Sequence, residues 1–393
     1  MKILFWMFIG FDKHETSEHL LTAVIEQLCI AGHSVHILQK NTGGDLPSIP
    51  EKLTKYPIST DCIPFHAASK SNFVARYLAE LKYIRKCKKH IKKDYDAVFI
   101  QSTTVGGFAV KAVRKKLPHA VVTFNVQDIF PYNIMYCGKM KANSLKFKVL
   151  ATVQRYGYRN SDHIITISED MKETLVEDGT AADKIEVIYN WSYQDQLYED
   201  VDLTPVSHMF NKDYFNVVYA GNIGVMQNVD ILIESANLLK GDATIWFHII
   251  GNGVYKERLE AKAKEYGIKN ITFWPMQSPN LAPLIYSSAD LNVIPLAKNV
   301  YKTALPSKTA TCFASQQPIV FAIGEESIFG RRVNKETGCP IVESDSAEGF
   351  VDTIRNVQKR KWEKKTGGFF LENCSITNNS RKYAEVIAQV TEK

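Results

Sequence analysis

This chain of 393 residues has no long apolar run, no paired-cysteine motif and no fixed short repeat. Without a stretch of about eighteen consecutive apolar residues, no membrane-spanning helix is expected. Met1 to Gly10 is apolar, but it is too short for a signal peptide and shows no cleavage-site pattern. It reads as a first β-strand. The seven cysteines include no Cys-x-x-Cys pair. Such a set fits reduced thiols in a cytoplasmic protein and speaks against structural zinc, so no metal is expected. No aromatic-rich motif or basic recognition helix stands beside the lysines, so nucleic acid is not expected as a partner.

The apolar fraction, 45%, is that of a globular protein, and 393 residues are long for one core, which suggests two domains. The net charge of +6 is unevenly spread. Lys82 to Lys93 is densely basic, and Lys139 to Lys148 mixes Lys139, Lys141, Lys146 and Lys148 with Met140, Leu145 and Phe147. Each segment reads either as a solvated helix face or as a surface for anionic lipid headgroups.

Strands and helices alternate along the chain. Expected strands are Lys2 to Phe8, Ser34 to Gln39, Ala97 to Gln101, Ala120 to Asn125, His163 to Ser168 and Ile185 to Tyr189. Ser17 to Ile30 reads as a helix with Leu20, Leu21, Val24, Ile25 and Leu28 on one face, and Phe73 to Lys93 reads as another. The polar stretch Ser192 to Asp213 reads as a linker. Beyond it the rhythm resumes: Phe215 to Ala220 ends in Gly221-Asn222-Ile223-Gly224, and Ile245 to Ile250 ends in Gly251-Asn252-Gly253. Asn270 to Trp274, Asp290 to Ile294 and Pro318 to Ala322 follow. This pattern predicts an α/β protein of two doubly wound, Rossmann-like domains facing across a cleft. The expected division is residues 1–204, residues 205–379, and a helix over residues 380–393 that either packs back on the first domain or stays on the second. Glycine-bearing turns at the carboxyl ends of parallel strands are where such sheets bind phosphate-containing ligands.

Five segments of the carboxyl half then carry a resemblance. They are Tyr219 to Gly224, Ile249 to Gly253, Ile271 to Met276, Ala289 to Leu296, and Leu305-Pro306-Ser307-Lys308 through Val320. The amino half adds Gly10, Gly32-His33-Ser34-Val35, Val126 to Pro131 and Ile165 to Ser168. In this order they resemble the family 4 glycosyltransferases of bacterial exopolysaccharide, capsule and O-antigen synthesis. The resemblance implies the GT-B architecture, with an amino-terminal acceptor domain and a carboxyl-terminal domain for a nucleotide-sugar donor. It also implies retention at the anomeric carbon, and neither metal nor cofactor beyond the nucleotide-diphosphate sugar itself.

On this resemblance Gly221, Gly224, Gly251 and Gly253 shape the donor loops. Asn222 and Gln227 stand where many members carry an Arg and a Lys, and they could donate amide hydrogens to phosphate. Thr303 and Thr311 stand where many members carry two Glu, and Thr303 is expected against sugar hydroxyls. Pro306-Ser307-Lys308 is intact, with Lys308 the cation for the diphosphate. Ser307 either bonds a phosphate or caps the helix. Met276 sits near the nucleobase or packs in the core. Asp128, with Gln127 in place of the family's frequent His, takes the acceptor proton, orients the acceptor or caps a turn. Gly10, His14 and Glu15 line the acceptor side.

The implied activity is transfer of a hexosyl or N-acetylaminosugar group to a hydroxyl of a glycan carried on polyprenyl diphosphate. The enzyme would be cytoplasmic and peripheral on the inner membrane face. A sugar-nucleotide epimerase of the same architecture, or a non-catalytic nucleotide-binding partner, are the competing readings.

Overall fold

A computed structural model describes residues 1–13, 17–68 and 73–389. The chain divides into two compact units. Unit 1 comprises 1–135, 140–190 and 376 onward, and unit 2 comprises 136–139 and 191–375.

In unit 1, β1 (Lys2–Trp6), β2 (Ser34–Asn41), β3 (Ser59–Pro64), β4 (Ala97–Ile100), β5 (Val121–Val126), β6 (His163–Thr166) and β7 (Ile185–Val187) alternate with helices. The helices are α1 (Glu18–Ile30), α2 (Phe73–Cys87), α3 (Gly106–Lys116), α4 (Tyr132–Tyr136), α5 (Leu145–Asn160) and α6 (Glu169–Glu177). The strands form one parallel sheet in the order β3-β2-β1-β4-β5-β6-β7. Unit 2 contains β8 (Phe215–Ala220), α7 (Asp230–Leu238), β9 (Ile245–Ile250), α8 (Lys256–Glu265), β10 (Ile271–Trp274), α9 (Ala282–Ser287) and β11 (Leu291–Pro295). It continues with α10 (Lys308–Ala314), β12 (Ile319–Ala322), α11 (Ile328–Thr337), β13 (Ile341–Val342), α12 (Ala347–Lys359) and α13 (Lys365–Asn373). Its parallel sheet runs β10-β9-β8-β11-β12-β13. Each unit is thus a Rossmann-like α/β domain, wound outward in both directions from its first strand. The last helix, α14 (Ile376–Ala388), packs in unit 1 against α1 and β5.

Both sheets are covered on two faces, so their strands read as continuous apolar runs. Ile3, Leu4, Phe5 and Trp6 of β1 are fully buried, as are Val217, Val218 and Tyr219 of β8. Three details differ from the sequence reading. α2 stops at Cys87, and the lysines beyond it lie in a turn and loop. The edge strand β3 was not anticipated: Ser59-Thr60-Asp61-Cys62 is polar, as a sheet edge tolerates. The supposed linker is folded, with a 3₁₀ turn at Thr204–Met209 and with Tyr198, Val206 and Met209 buried. Their irregular spacing matches neither a helical nor a strand period, which hid them.

Candidate active site

The chain order reverses between β8 and β11, where an open α/β sheet makes a crevice at its carboxyl end. The ladder there is short. Leu291 pairs with Val217 and Asn292 with Val218, although β8 continues to Ala220 and β11 to Pro295. Beyond those pairs the Ala220 carbonyl accepts from the Tyr286 hydroxyl at 3.1 Å and from Lys308 Nζ at 3.2 Å. The same ammonium lies 3.6 Å from the centroid of the Tyr219 ring.

Lys308 is therefore partly buried against a carbonyl and an aromatic face. No carboxylate is paired with it among the described residues. Burial lowers its pKa to about 7. A cation held by neutral groups is costly to keep charged, and an anion beside it would remove that cost.

The backbone around Lys308 is shaped by close approach. Gly221 has φ +145°, and a Cβ on it would come within 3.2 Å of Lys308 Nζ. Gly251 has φ +150°, and a Cβ on it would fall 1.9 Å from the Gly221 carbonyl oxygen. At Gly253 a Cβ would fall 2.2 Å from the Ile223 carbonyl oxygen. The loops after β8 and β9 are thus laid against each other with no room for side chains, and Ile223 N donates to the Asn252 carbonyl at 2.9 Å. Asn222 Nδ2 donates to Gln227 Oε1 at 3.1 Å, and a Cβ on Gly224 would meet both side chains. Gly221, Asn222, Gly224, Gln227, Gly251, Gly253 and Lys308 therefore form one continuous cluster.

Other predicted residues are placed differently. Thr303 is fully buried, and its hydroxyl donates to the Val300 carbonyl at 3.0 Å. It is turned into its own loop, which corrects the expectation that it meets sugar hydroxyls. Thr311 is buried as well, with its hydroxyl 3.2 Å from that of Ser192. Ser307 is exposed and its side chain caps no backbone N–H, so the capping alternative does not hold. Pro306 precedes it, and its carbonyl accepts from Thr309 N at 3.1 Å. Met276, just past β10, is 56% exposed, which excludes the core-packing alternative.

In unit 1, Asp128 follows β5 at its carboxyl end and is exposed. Its carboxylate makes no hydrogen bond among the described residues, so it does not cap the following turn. Desolvation by surrounding protein raises its pKa, and its contact with solvent limits the rise. Gly10 is buried, and a Cβ on it would fall 2.2 Å from the Lys40 carbonyl oxygen, so this loop lies tight on β2. His14 and Glu15 lie outside the described residues.

Three residues near the cluster escaped the sequence reading. Tyr219 and Tyr286 prop Lys308 and its carbonyl partner. The signal was available for Tyr219, a polar-tipped aromatic in a strand otherwise buried on both faces. Lys256 donates to the carbonyls of Gly251 at 3.2 Å and Trp274 at 3.1 Å, tying the ends of β9 and β10 together. His248, by contrast, is structural. It accepts at Nδ1 from Trp274 Nε1 and lies 3.0 Å from Asn216 Oδ1 through Nε2, and burial lowers its pKa to about 4. Among the described residues no group of three or more His, Cys, Asp or Glu is placed to hold a metal ion.

Two Rossmann-like domains in one chain, the second with a cation at its switch point, are the architecture of a class of group-transfer enzymes with nucleotide-linked donors. Residues 18–191 match the Glycosyl transferase 4-like domain, and residues 200–319 match the Glycosyl transferases group 1 family. The chain belongs to the family 4 type of glycosyltransferase. WcaI of Escherichia coli (strain K12), named for colanic acid biosynthesis, is 30% identical over 247 residues, 61% of this chain and 60% of that protein. WbjE of Pseudomonas aeruginosa, named as a glycosyltransferase, is 22% identical over 240 residues, 58% of each chain. The chain thus matches about three fifths of the length of these curated relatives. Among solved structures, the lipopolysaccharide glycosyltransferase WaaG superposes with a TM-score of 0.71 at 11% identity, covering 99% of this chain and 100% of that one. Anabaena Alr3699/HepE in complex with UDP and glucose gives 0.69 at 12% identity, with 99% and 100% covered. At such identities these two speak for the fold.

Proposed function

We propose that this protein is a retaining, metal-independent glycosyltransferase of bacterial surface polysaccharide synthesis. It takes a hexosyl or N-acetylaminosugar group from a nucleotide-diphosphate sugar to a hydroxyl of a glycan carried on polyprenyl diphosphate. The observation that carries this reading is Lys308, a cation without a carboxylate partner among the described residues, at the switch point beside the glycine loops. The relatives named for colanic acid synthesis and glycosyl transfer support the substrate class.

In this reading the acceptor oxygen bonds to the anomeric carbon as the bond from that carbon to the diphosphate oxygen breaks on the same face. The hydroxyl proton passes to the departing phosphate, and Lys308 offsets the charge growing there. Asp128 orients the acceptor hydroxyl.

The test is a thermal-shift screen over UDP-, GDP- and dTDP-sugars, followed by assay of the stabilising compound, since a tight ligand stabilises by mass action. Slow release of free sugar and nucleoside diphosphate is expected. Interconversion of sugar nucleotides would instead establish an epimerase. Binding with neither reaction, with lipid-linked acceptor supplied, would establish a non-catalytic partner.

The membrane part of the proposal rests on surface chemistry, and no helix among the described residues is long and apolar enough to cross a membrane. On α2, Val74 and Leu78 are about half exposed, and Lys82, Arg85 and Lys86 are exposed along the same helix. On α5, Leu145 is 78% and Val149 53% exposed, on either side of the exposed Lys146 and Lys148. Exposed apolar side chains set among lysines suit a surface of anionic lipid. Sedimentation with phosphatidylglycerol vesicles should weaken as salt rises, and should lose about 1 kcal/mol for each lysine replaced. Equal binding to phosphatidylcholine vesicles would refute this.

A further inference from the structure

Gln127 occupies the position before Asp128, and both polar ends of its side chain are hydrogen-bonded within the protein. Its backbone N–H donates to Ser102 Oγ at 3.1 Å. Its Oε1 accepts from Asn190 Nδ2 at 2.8 Å, and its Nε2 donates to the Tyr383 hydroxyl oxygen at 3.1 Å. Tyr383 is 3% exposed and also accepts from Asn125 Nδ2 at 2.9 Å. The residue is thus pinned at three atoms by three segments. On its far side Ile129 and Phe130 are buried. Between these anchors stands Asp128, exposed, its carboxylate without a hydrogen bond among the described residues.

The two side-chain partners have a particular origin. Asn190 is the last residue of unit 1 before the chain enters unit 2, and Tyr383 lies on α14, with which the chain re-enters unit 1. A third bond belongs to the same set: Asn379 of α14 donates to the Tyr189 carbonyl at 2.9 Å. Both passages of the chain are therefore fastened to each other and to the strand end that carries Asp128. Three fixed points suit a group that must hold its neighbour in one place.

We propose that Gln127 is a positioning residue that holds the Asp128 carboxylate in place for the acceptor, by way of Asn190 and Tyr383. The proposal rests on the reading of Asp128 given above. Tyr383→Phe removes the acceptor of two amide donors, Asn125 Nδ2 and Gln127 Nε2, without touching Asp128. Gln127→Ala removes the link outright.

The experiment compares these two variants with Asp128→Asn in the full chain. Turnover is measured with whichever of UDP-glucose, UDP-N-acetylglucosamine, GDP-mannose or dTDP-rhamnose the wild type consumes, and amide hydrogen exchange is measured over residues 128–130. The expected result is a kcat lower by roughly 10- to 100-fold in all three variants at an unchanged donor KM, because misplacement by about an ångström costs that much. Exchange at 128–130 should quicken in Gln127→Ala and Tyr383→Phe, and this is read whether or not a panel sugar is consumed. If Asp128→Asn loses turnover while the other two keep the wild-type kcat, positioning is refuted and Asp128 stands. If Asp128→Asn keeps its kcat, both readings fall. Unchanged exchange in both positioning variants also refutes the proposal.

Discussion

Replacing Lys308 with methionine is expected to lower turnover by about 100- to 1,000-fold, the usual cost of removing one preorganised group that meets developing charge. The fold should survive. Among the described residues the ammonium is supported by the Ala220 carbonyl and the Tyr219 ring, and its pKa has fallen from 10.5 to about 7. Between those two values the unfolded chain binds more protons than the folded one, so the stability linked to Lys308 rises with pH across that window. At pH 7 and below, the charged lysine is a burden on the empty site. A methionine, similar in length and uncharged, should therefore melt at or above the wild-type temperature. The same pKa gives the donor affinity its pH dependence. Below about pH 7 the free site is already charged, and affinity is level. Above it the site must take up a proton to meet the diphosphate, so affinity falls as pH rises. Isothermal titration with the donor from pH 6 to 9 checks this. A methionine variant with wild-type turnover would remove Lys308 from the mechanism.

This prediction was open to sequence reasoning because Pro306-Ser307-Lys308 is a local pattern. The rest of the cluster was legible to different degrees. Gly221, Gly251 and Gly253 were readable as strand-end glycines, since buried parallel strands announce themselves as apolar runs and their ends follow directly. That Gly251 faces Gly221 was not readable, because it depends on the register of β8 against β9, a pairing between distant segments. Thr303 shows the converse failure. Its place in the loop was read correctly from the neighbouring motif, but a hydroxyl can turn to its own backbone as easily as to a ligand, and only packing decides. Lys256 and Tyr286 had no motif at all, and their roles exist only because the ends of neighbouring strands converge. Gln127 was noted only as a departure from a family habit. Its significance lies in Asn190 and Tyr383, which are distant in sequence and brought beside it by the return of α14.

The second large effect is expected at Gly251. Substitution by alanine should destabilise the protein by about 3 kcal/mol or more, since overpacking of a rigid contact is rarely relieved cheaply. The added carbon would sit 1.9 Å from the Gly221 carbonyl oxygen, which is backbone and cannot swing aside. The φ of +150° adds strain for any residue with a Cβ. Relief would require the loops after β8 and β9 to separate, yet Gly221 N donates to the Ile250 carbonyl at 2.9 Å and Gly251 N to the Trp274 carbonyl at 3.2 Å. Lys256 also donates to the Trp274 carbonyl, and to that of Gly251 itself. Separation would also carry Gly221 away from Lys308, so donor binding should weaken along with stability. Calorimetry should show Tm lower by roughly 6 to 12 °C for a domain of this size. Gly241→Ala is the control. That glycine has no heavy atom within 4 Å of the added carbon and no left-handed φ, so its Tm should stay within about 1 °C of wild type. Equal melting of the two variants would mean that the two glycine loops do not lie against each other in solution, and the donor reading of the cluster would lose its backbone.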